Sequence, residues 1–482
     1  MIEHHRSRMR AGRRVLHHGA APRLSILVVL LSLLVPLGPS AQAAVPSIIL
    51  IVIDTLRADH LGTYGHHRPT SPALDRRAAQ GAVFERAFAS SGWTAPSFGS
   101  ILTGTIAARH GQGARTAEGD DARHRAPLGK ELPTLAEQFA ARGYRTAAFV
   151  TNPFLDRSLG AGRGFEFYLC APADNDRYRR ADLGVSLAAE WLERHRDEPT
   201  FLLLHFFDPH LDYDPAPEVR GRFTDPLARD AGRTLPVEGV QAIRDDRTLS
   251  LAAREFITAA YDEEILAVDA ALDSFFARLE ELGLKERSVI LLTADHGEEL
   301  FDHGGFEHGH SLQQEILHVP FVLWGPGVVP ARHTEPVSLV DVFPTLLEAA
   351  GVPATPPVAR NLDGLSLWPL VVGRTTRLEG PASSAPREIV VSSTLQGEEQ
   401  SALVVWPHKL IRTESGSSRL YQLDEDPRER QDLSAADPRR VSALARRLSH
   451  RLAVADSLRR RVSSVPIDPE LHERLRSLGY TR

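Results

Sequence analysis

Short apolar runs alternate with helix-period stretches along most of the chain. Ser47–Ile53 is a continuous β-branched and apolar run, the pattern of a strand buried on both faces of a parallel sheet. Similar runs recur at Thr146–Val150, Thr200–Phe207, Ser288–Thr293 and Val319–Trp324. Between them, Leu132–Ala141 reads as a helix stopped by Gly143. The longest helical pattern, 251–283, carries Ile265, Val268, Leu272, Phe275, Phe276, Leu279 and Leu282 on one stripe, with Gly283 as its stop. This alternation predicts an α/β sandwich with a mostly parallel central sheet flanked by helices. Segment 214–248, polar and rich in Pro, Gly, Arg and Asp, reads as a surface excursion, and 371–387 as a linker. Beyond the linker, Glu388–Ser392, Ala402–Val405 and His408–Arg412 read as short strands and 437–454 as an Arg-rich helix, predicting a small C-terminal α+β subdomain. The expected partition is 1–43, 44–375 and 376–482.

The first segment differs from the rest. Arg6, Arg8, Arg10, Arg13, Arg14 and Arg23 precede an apolar run, Leu24–Leu37, which is followed by Pro39 and Ala41-Gln42-Ala43-Ala44. A basic start, an apolar middle and an A-x-A end make a secretory signal peptide. The run is shorter than the roughly 20 residues of a spanning helix. Export to the periplasm or outside the cell, with no membrane span in the mature chain, is therefore expected. Cleavage after Ala43 removes six arginines and one glutamate, taking the net charge from −6 to −11. That balance excludes a protein that coats nucleic acid. With 42% hydrophobic and 24% charged residues the chain is globular rather than disordered. Its one cysteine, Cys170, excludes an intramolecular disulfide and any Cys-rich metal site.

Open α/β sheets gather chemistry at the carboxyl ends of their strands. Asp54 follows the first strand, Asp208 and His210 the third, and Asp295-His296-Gly297-Glu298 the fourth, continuing through Asp302, His303, His308 and His310. Aspartate oxygens and histidine nitrogens from separate strand ends suit a divalent metal. In Ser91–Gly104, Pro96 and Gly104 bracket a short helix with Thr94 at or just before its N-terminus, where backbone N–H groups and the dipole favour an anion. Thr94 there is either a helix cap or a hydroxyl that attacks a phosphorus or sulfur centre. His205 and His318, in apolar contexts, read as satisfied core histidines. Arg57 and Asp59 are expected to stabilise the loop after the first strand. Tyr64 and Trp93 are expected to line the mouth, and Asp341 to cap a helix.

The ordered set Ile51–Gly65, Pro69–Asp75, Thr94-Ala-Pro-Ser97, Leu102-Thr-Gly104 and Ala294-Asp-His-Gly-Glu298 resembles the sulfatases of the alkaline phosphatase superfamily. Gly143–Thr146, Val340–Leu347 and Arg419–Arg430 extend the resemblance from about residue 46 to 450. It implies an alkaline-phosphatase-like sandwich and one divalent metal held by Asp54, Asp295 and His296, with Thr94 as both metal ligand and nucleophile. It also implies that His210, His310 and Asp208 bind the substrate anion, with His210 or His310 protonating the leaving group. Asp208, His210 and His310 as a second metal site is the alternative; substrate contact is the simpler reading.

The departures from the family pattern carry as much information. Sulfatases that mature a Cys or Ser in Cys/Ser-x-Pro-Ser-Arg to formylglycine have no counterpart here: the segment is Thr94-Ala-Pro-Ser97-Phe98 and Cys170 lies elsewhere. No formylglycine is expected. Thr55 replaces a second aspartate and His296 an asparagine, moving the donor set from calcium toward zinc or manganese. Val150-Thr-Asn-Pro153 replaces a Gly-Lys-Trp-His segment. The expected function is metal-dependent hydrolysis of sulfate or phosphate esters, on small molecules, glycans or lipids, through Thr94. A phosphoethanolamine-type phosphotransferase or phosphodiesterase is the alternative. A catalytically weak binding protein on the same fold is the second alternative.

Overall fold

The computed structural model describes residues 45–114, 126–170, 180–211, 213–224, 249–378, 386–392, 394–459 and 469–477. The expected signal peptide, 225–248 of the surface excursion and 379–385 of the linker lie outside these residues. No described helix is long and apolar enough to cross a membrane.

An eight-stranded sheet organises the chain. Its order is Ala331–His333, Ala82–Phe84, Phe321–Trp324, Ser288–Ala294, Ser47–Ile53, Thr200–Phe206, Arg145–Val150 and Phe167–Cys170. The five strands from Ser288–Ala294 to Phe167–Cys170 run parallel, each to its neighbour. Phe321–Trp324 pairs antiparallel on both sides. Ser47–Ile53, Thr200–Phe206 and Ser288–Ala294 are buried along their whole length, which is why they read as unbroken apolar runs.

All five predicted strands are present. Three short ones, Ala82–Phe84, Phe167–Cys170 and Ala331–His333, are additional. Leu251–Glu281 forms the long helix, with its predicted stripe buried except for Leu282, which is partly covered. The C-terminal strands form an antiparallel sheet of four, Ile389–Ser392, Gln400–Val405, His408–Thr413 and Ser418–Gln422, the last not predicted. Pro438–Leu458 packs on this sheet through Leu444, Leu448 and Ala455.

Candidate active site and metal centre

The carboxyl ends of three adjacent strands bring the predicted residues together. Asp54 leaves the central strand, and its N–H donates to Phe206 O across 2.9 Å, tying it to the next strand. Thr55 follows at φ +54°, a left-handed conformation that strains a β-branched residue. The Tyr261 hydroxyl holds that turn, donating to Thr55 O (2.7 Å) and accepting from Arg57 N (3.0 Å). Asp295 and His296 leave the neighbouring strand. Gly297 follows because a Cβ there would lie 2.1 Å from Glu315 O. Thr94 is the first residue of the Thr94–Thr103 helix, which ends at Gly104 in the left-handed region, as expected. The Ser97 hydroxyl fastens the helix to Asp295 O at 2.5 Å.

His296 is the hub. Its Nδ1–H donates to Gly297 O at 2.9 Å, which leaves the lone pair on Nε2. That nitrogen lies 3.2 Å from Thr94 Oγ1, 3.6 Å from Asp54 Oδ1 and 3.5 Å from Asp295 Oδ2. Neither carboxylate oxygen has a hydrogen-bond partner, and both residues are completely buried. Burial and then the nearby Asp295 charge push the Asp54 carboxyl well above its usual range, while a hydrogen bond from Asn152 works the other way. Two unpartnered carboxylate oxygens and an imidazole lone pair converging in the interior form a donor set that fits a divalent cation. Thr94 supplies an adjacent hydroxyl.

Asn152 was not singled out in the sequence. It stands just past the end of Arg145–Val150, and its Nδ2 donates to Asp54 Oδ2 (2.7 Å) and Thr94 Oγ1 (3.3 Å). His205 corrects an expectation. Rather than a satisfied core histidine, it is a fully buried ring with neither nitrogen hydrogen-bonded. Its Nε2 is 3.7 Å from Asp54 Oδ2. His318 is satisfied, with Nε2 on Glu85 O at 2.9 Å.

The remaining histidines divide into two groups. His308 lies against His296 (ring centroids 4.4 Å) and edge-on to His210 (5.0 Å), with its Nδ1 on Glu298 Oε1 at 2.8 Å. His210 donates from Nδ1 to Leu211 O at 2.8 Å. His210 thus reaches the hub through His308. His310 instead pairs with Glu299 at 2.7 Å and makes no hydrogen bond to Thr94. His303 pairs with Glu315 at 2.7 Å and donates to Glu429 O at 3.1 Å, in the C-terminal region. Asp208 Oδ2 accepts from Ala181 N at the start of the Ala181–Arg194 helix (3.0 Å).

Arg57 pairs with Asp59 (2.9 Å) and Asp302 (2.6 Å), bracing the loop as expected. Tyr64 does not line a mouth: its hydroxyl donates to Phe84 O and accepts from Phe321 N. Trp93 is buried, edge-on to Phe154 and packed in one apolar cluster with Leu471 and Leu475. Asp341 closes a reciprocal capping box with Ser338 and pairs with Arg387.

A family model described as Sulfatase matches residues 46–352. A Delta 4,5-hexuronate-2-O-sulfatase of Bacteroides thetaiotaomicron is 25% identical over 92% of this chain and 96% of its own length. Among solved structures, a 2-O GAG sulfatase superposes with a TM-score of 0.67 at 21% identity, covering 87% of this chain and 95% of its own. The phosphonate monoester hydrolase of Agrobacterium radiobacter does so with a TM-score of 0.65 at 19% identity, covering 85% and 96%. The family match spans more than half of the chain: the protein belongs to the sulfatase family, a family of sulfuric ester hydrolases in the alkaline phosphatase superfamily.

Proposed function

We propose that this protein is a metal-dependent hydrolase of anionic sulfate- or phosphate-type esters, including phosphonates, that uses the unmodified Thr94 hydroxyl as its nucleophile. The observation that carries this reading is the position of Thr94 Oγ1, 3.2 Å from His296 Nε2 at the N-terminus of a ten-residue helix, beside two carboxylates with unpartnered oxygens. A divalent cation held by Asp54, Asp295 and His296 would neutralise substrate oxygens and lower the pKa of the Thr94 hydroxyl.

The chain's own residues account for the rest. At the helix start Thr94 N and Ala95 N can receive the transferring anion, since Pro96 has no N–H and Ser97 N donates to Trp93 O. Asn152 donates to Thr94 Oγ1 and so favours a developing alkoxide. Thr94, its hydroxyl proton given up to water, forms an Oγ1–phosphorus or Oγ1–sulfur bond as the bond to the ester oxygen breaks. That oxygen takes a proton from an imidazole, and the His210–His308 pair is better placed for this than His310 because His308 packs against the His296 ring at 4.4 Å. Water then attacks phosphorus or sulfur, the bond to Thr94 Oγ1 breaks, the threonine oxygen regains a proton, and phosphate, phosphonate or sulfate is released. A phosphoryl-threonine is cleared readily by such an attack. A sulfated threonine is cleared less readily, because it lacks the carbonyl re-formation open to a formylglycine hydrate. This favours phosphorus esters, and the likeness in fold to a phosphonate monoester hydrolase agrees with it. We also read the protein as exported, on the strength of residues 1–43.

The test is to purify the mature protein, determine its metal content and compare aryl sulfate, phosphate monoester, phosphodiester and phosphonate substrates. Turnover of at least one, abolished by chelation and by Thr94→Ala, is expected. Undiminished turnover in Thr94→Ala, or a formylglycine anywhere in the chain, overturns the reading.

A further inference from the structure

We propose that His205 is an additional ligand of the metal centre, so that two imidazoles and two carboxylates hold the ion and select a transition metal over calcium. This rests on the metal-assisted reading above and adds a donor to it.

His205 lies opposite Val52 in the parallel pairing of Thr200–Phe206 with Ser47–Ile53, and Asp54 N donates to the carbonyl of the next residue, Phe206. The two chains therefore leave the sheet side by side. The ring is completely buried, and neither Nδ1 nor Nε2 has a hydrogen-bond partner. An imidazole carries at least one N–H and one lone pair or a second N–H, so this leaves two strong polar groups unmet in the interior, which native proteins avoid. The neighbouring group, Phe98, meets the ring edge-on at 5.6 Å and offers no hydrogen bond.

The spacing is that of co-ligands. His205 Nε2 is 3.7 Å from Asp54 Oδ2, too long for a good hydrogen bond. Metal bonds of about 2.0–2.2 Å put neighbouring ligand atoms about 3–4 Å apart. Ligand atoms of Asp54, His205 and Asp295 all lie within 4.8 Å of one another, and His296 Nε2 lies 3.6 and 3.5 Å from oxygens of the two carboxylates. The Asp54 carboxylate turns Oδ2, which also accepts from Asn152, toward His205 and its unpartnered Oδ1 toward His296, so with the unpartnered atoms of His205 and Asp295 it shares one ion. A second neutral nitrogen in place of an oxygen favours zinc or cobalt and disfavours calcium.

The experiment measures zinc and calcium affinity by competition with a chromophoric chelator, and the visible spectrum of the cobalt-loaded protein. The proteins compared are wild type, Asp54→Ala and His205→Phe. Wild type is expected to take up zinc, and His205→Phe to bind zinc at least about 100-fold more weakly, with calcium affinity nearly unchanged and an altered cobalt spectrum. The metal-free melting temperature of His205→Phe is expected to hold or rise, since an apolar ring replaces an unsatisfied one. If that variant fails to fold, His205→Gln takes its place with the same affinity expectation. Zinc affinity and cobalt spectrum unchanged in the His205 variant, with uptake lost in Asp54→Ala, overturn the role of His205 alone. A wild type that takes up no metal, or uptake untouched by Asp54→Ala, overturns the metal centre itself.

Discussion

Replacing Asn152 separates catalysis from scaffolding at one position. Its side chain does two things: Nδ2 donates to Asp54 Oδ2 and Thr94 Oγ1, and Oδ1 accepts from Phe154 N at 2.9 Å, capping a short turn. Asn152→Ala removes both. The 2.7 Å bond to a buried carboxylate is of the charged class, worth about 1.5–3 kcal/mol. If that energy serves to orient Asp54 and Thr94 in the transition state, kcat/KM falls by about 10- to 150-fold, carried by kcat rather than KM. The lost cap costs about 1 kcal/mol of stability, read from urea unfolding. Asn152→Asp keeps an acceptor for Phe154 N but sets a second carboxylate against Asp54. Although the cap is kept, the buried like-charge pair is expected to lower both stability and kcat at least as far as in Asn152→Ala. Steady-state kinetics on the best substrate of the panel, with unfolding curves for both variants, make the comparison. A kcat within about three-fold of wild type in both variants, against the ten-fold minimum, would refute the role assigned to Asn152.

Two further predictions concern the region that ties the histidine-rich loop to the C-terminal sheet. Lys409 and Glu429 form a fully buried ion pair at 2.9 Å, and Glu429 also accepts from Gln314 N. Lys409→Met is expected to cost about 3–5 kcal/mol in urea unfolding because it strands the carboxylate, and adding Glu429→Gln to recover most of that; a single variant costing under about 1 kcal/mol contradicts this. His303, hydrogen-bonded to Glu315, has its pKa raised to about 9. A raised imidazole stabilises the fold fully below its unfolded value of about 6.5 and ceases to do so as pH rises through about 9. The stability gap between wild type and His303→Gln should therefore be widest below that window and close above it; a gap that widens with pH reverses the assignment.

Much of this architecture is legible in the chain. Ser47–Ile53, Thr200–Phe206 and Ser288–Ala294 announce themselves because burial on both faces leaves no charged position in the run, and polar ones only at or next to its ends. The three- and four-residue strands Ala82–Phe84, Phe167–Cys170 and Ala331–His333 are too short to carry a period, and Ser418–Gln422 mixes Arg and Gln with its apolar residues. Asp54, Asp295 and His296 are marked by their position after a strand, and Thr94, by position either a cap or a nucleophile and by the family resemblance the latter, meets them. Asn152 satisfies the same positional rule, but its segment, Val150-Thr-Asn-Pro153, stands out only by differing from the family pattern. His205 was hidden for a different reason. An apolar run shows that a residue is buried, not what it faces, and its neighbours Asp54 and Asp295 are remote in sequence. The exact placement of Asp208, at the start of the Ala181–Arg194 helix, likewise depends on a contact between separate segments.

The central claim is that Thr94 itself, unmodified, takes the covalent adduct. The most direct measurement is mass spectrometry of the Ala87–Arg109 tryptic peptide from enzyme acid-quenched during turnover of its best substrate. The account predicts threonine at position 94 in the resting protein and, in the quenched sample, a fraction carrying one phosphoryl, phosphonyl or sulfo group on that residue, absent from Thr94→Ala. An adduct on another side chain, or active enzyme whose Thr94 is never modified under conditions that trap a burst of product, would contradict it.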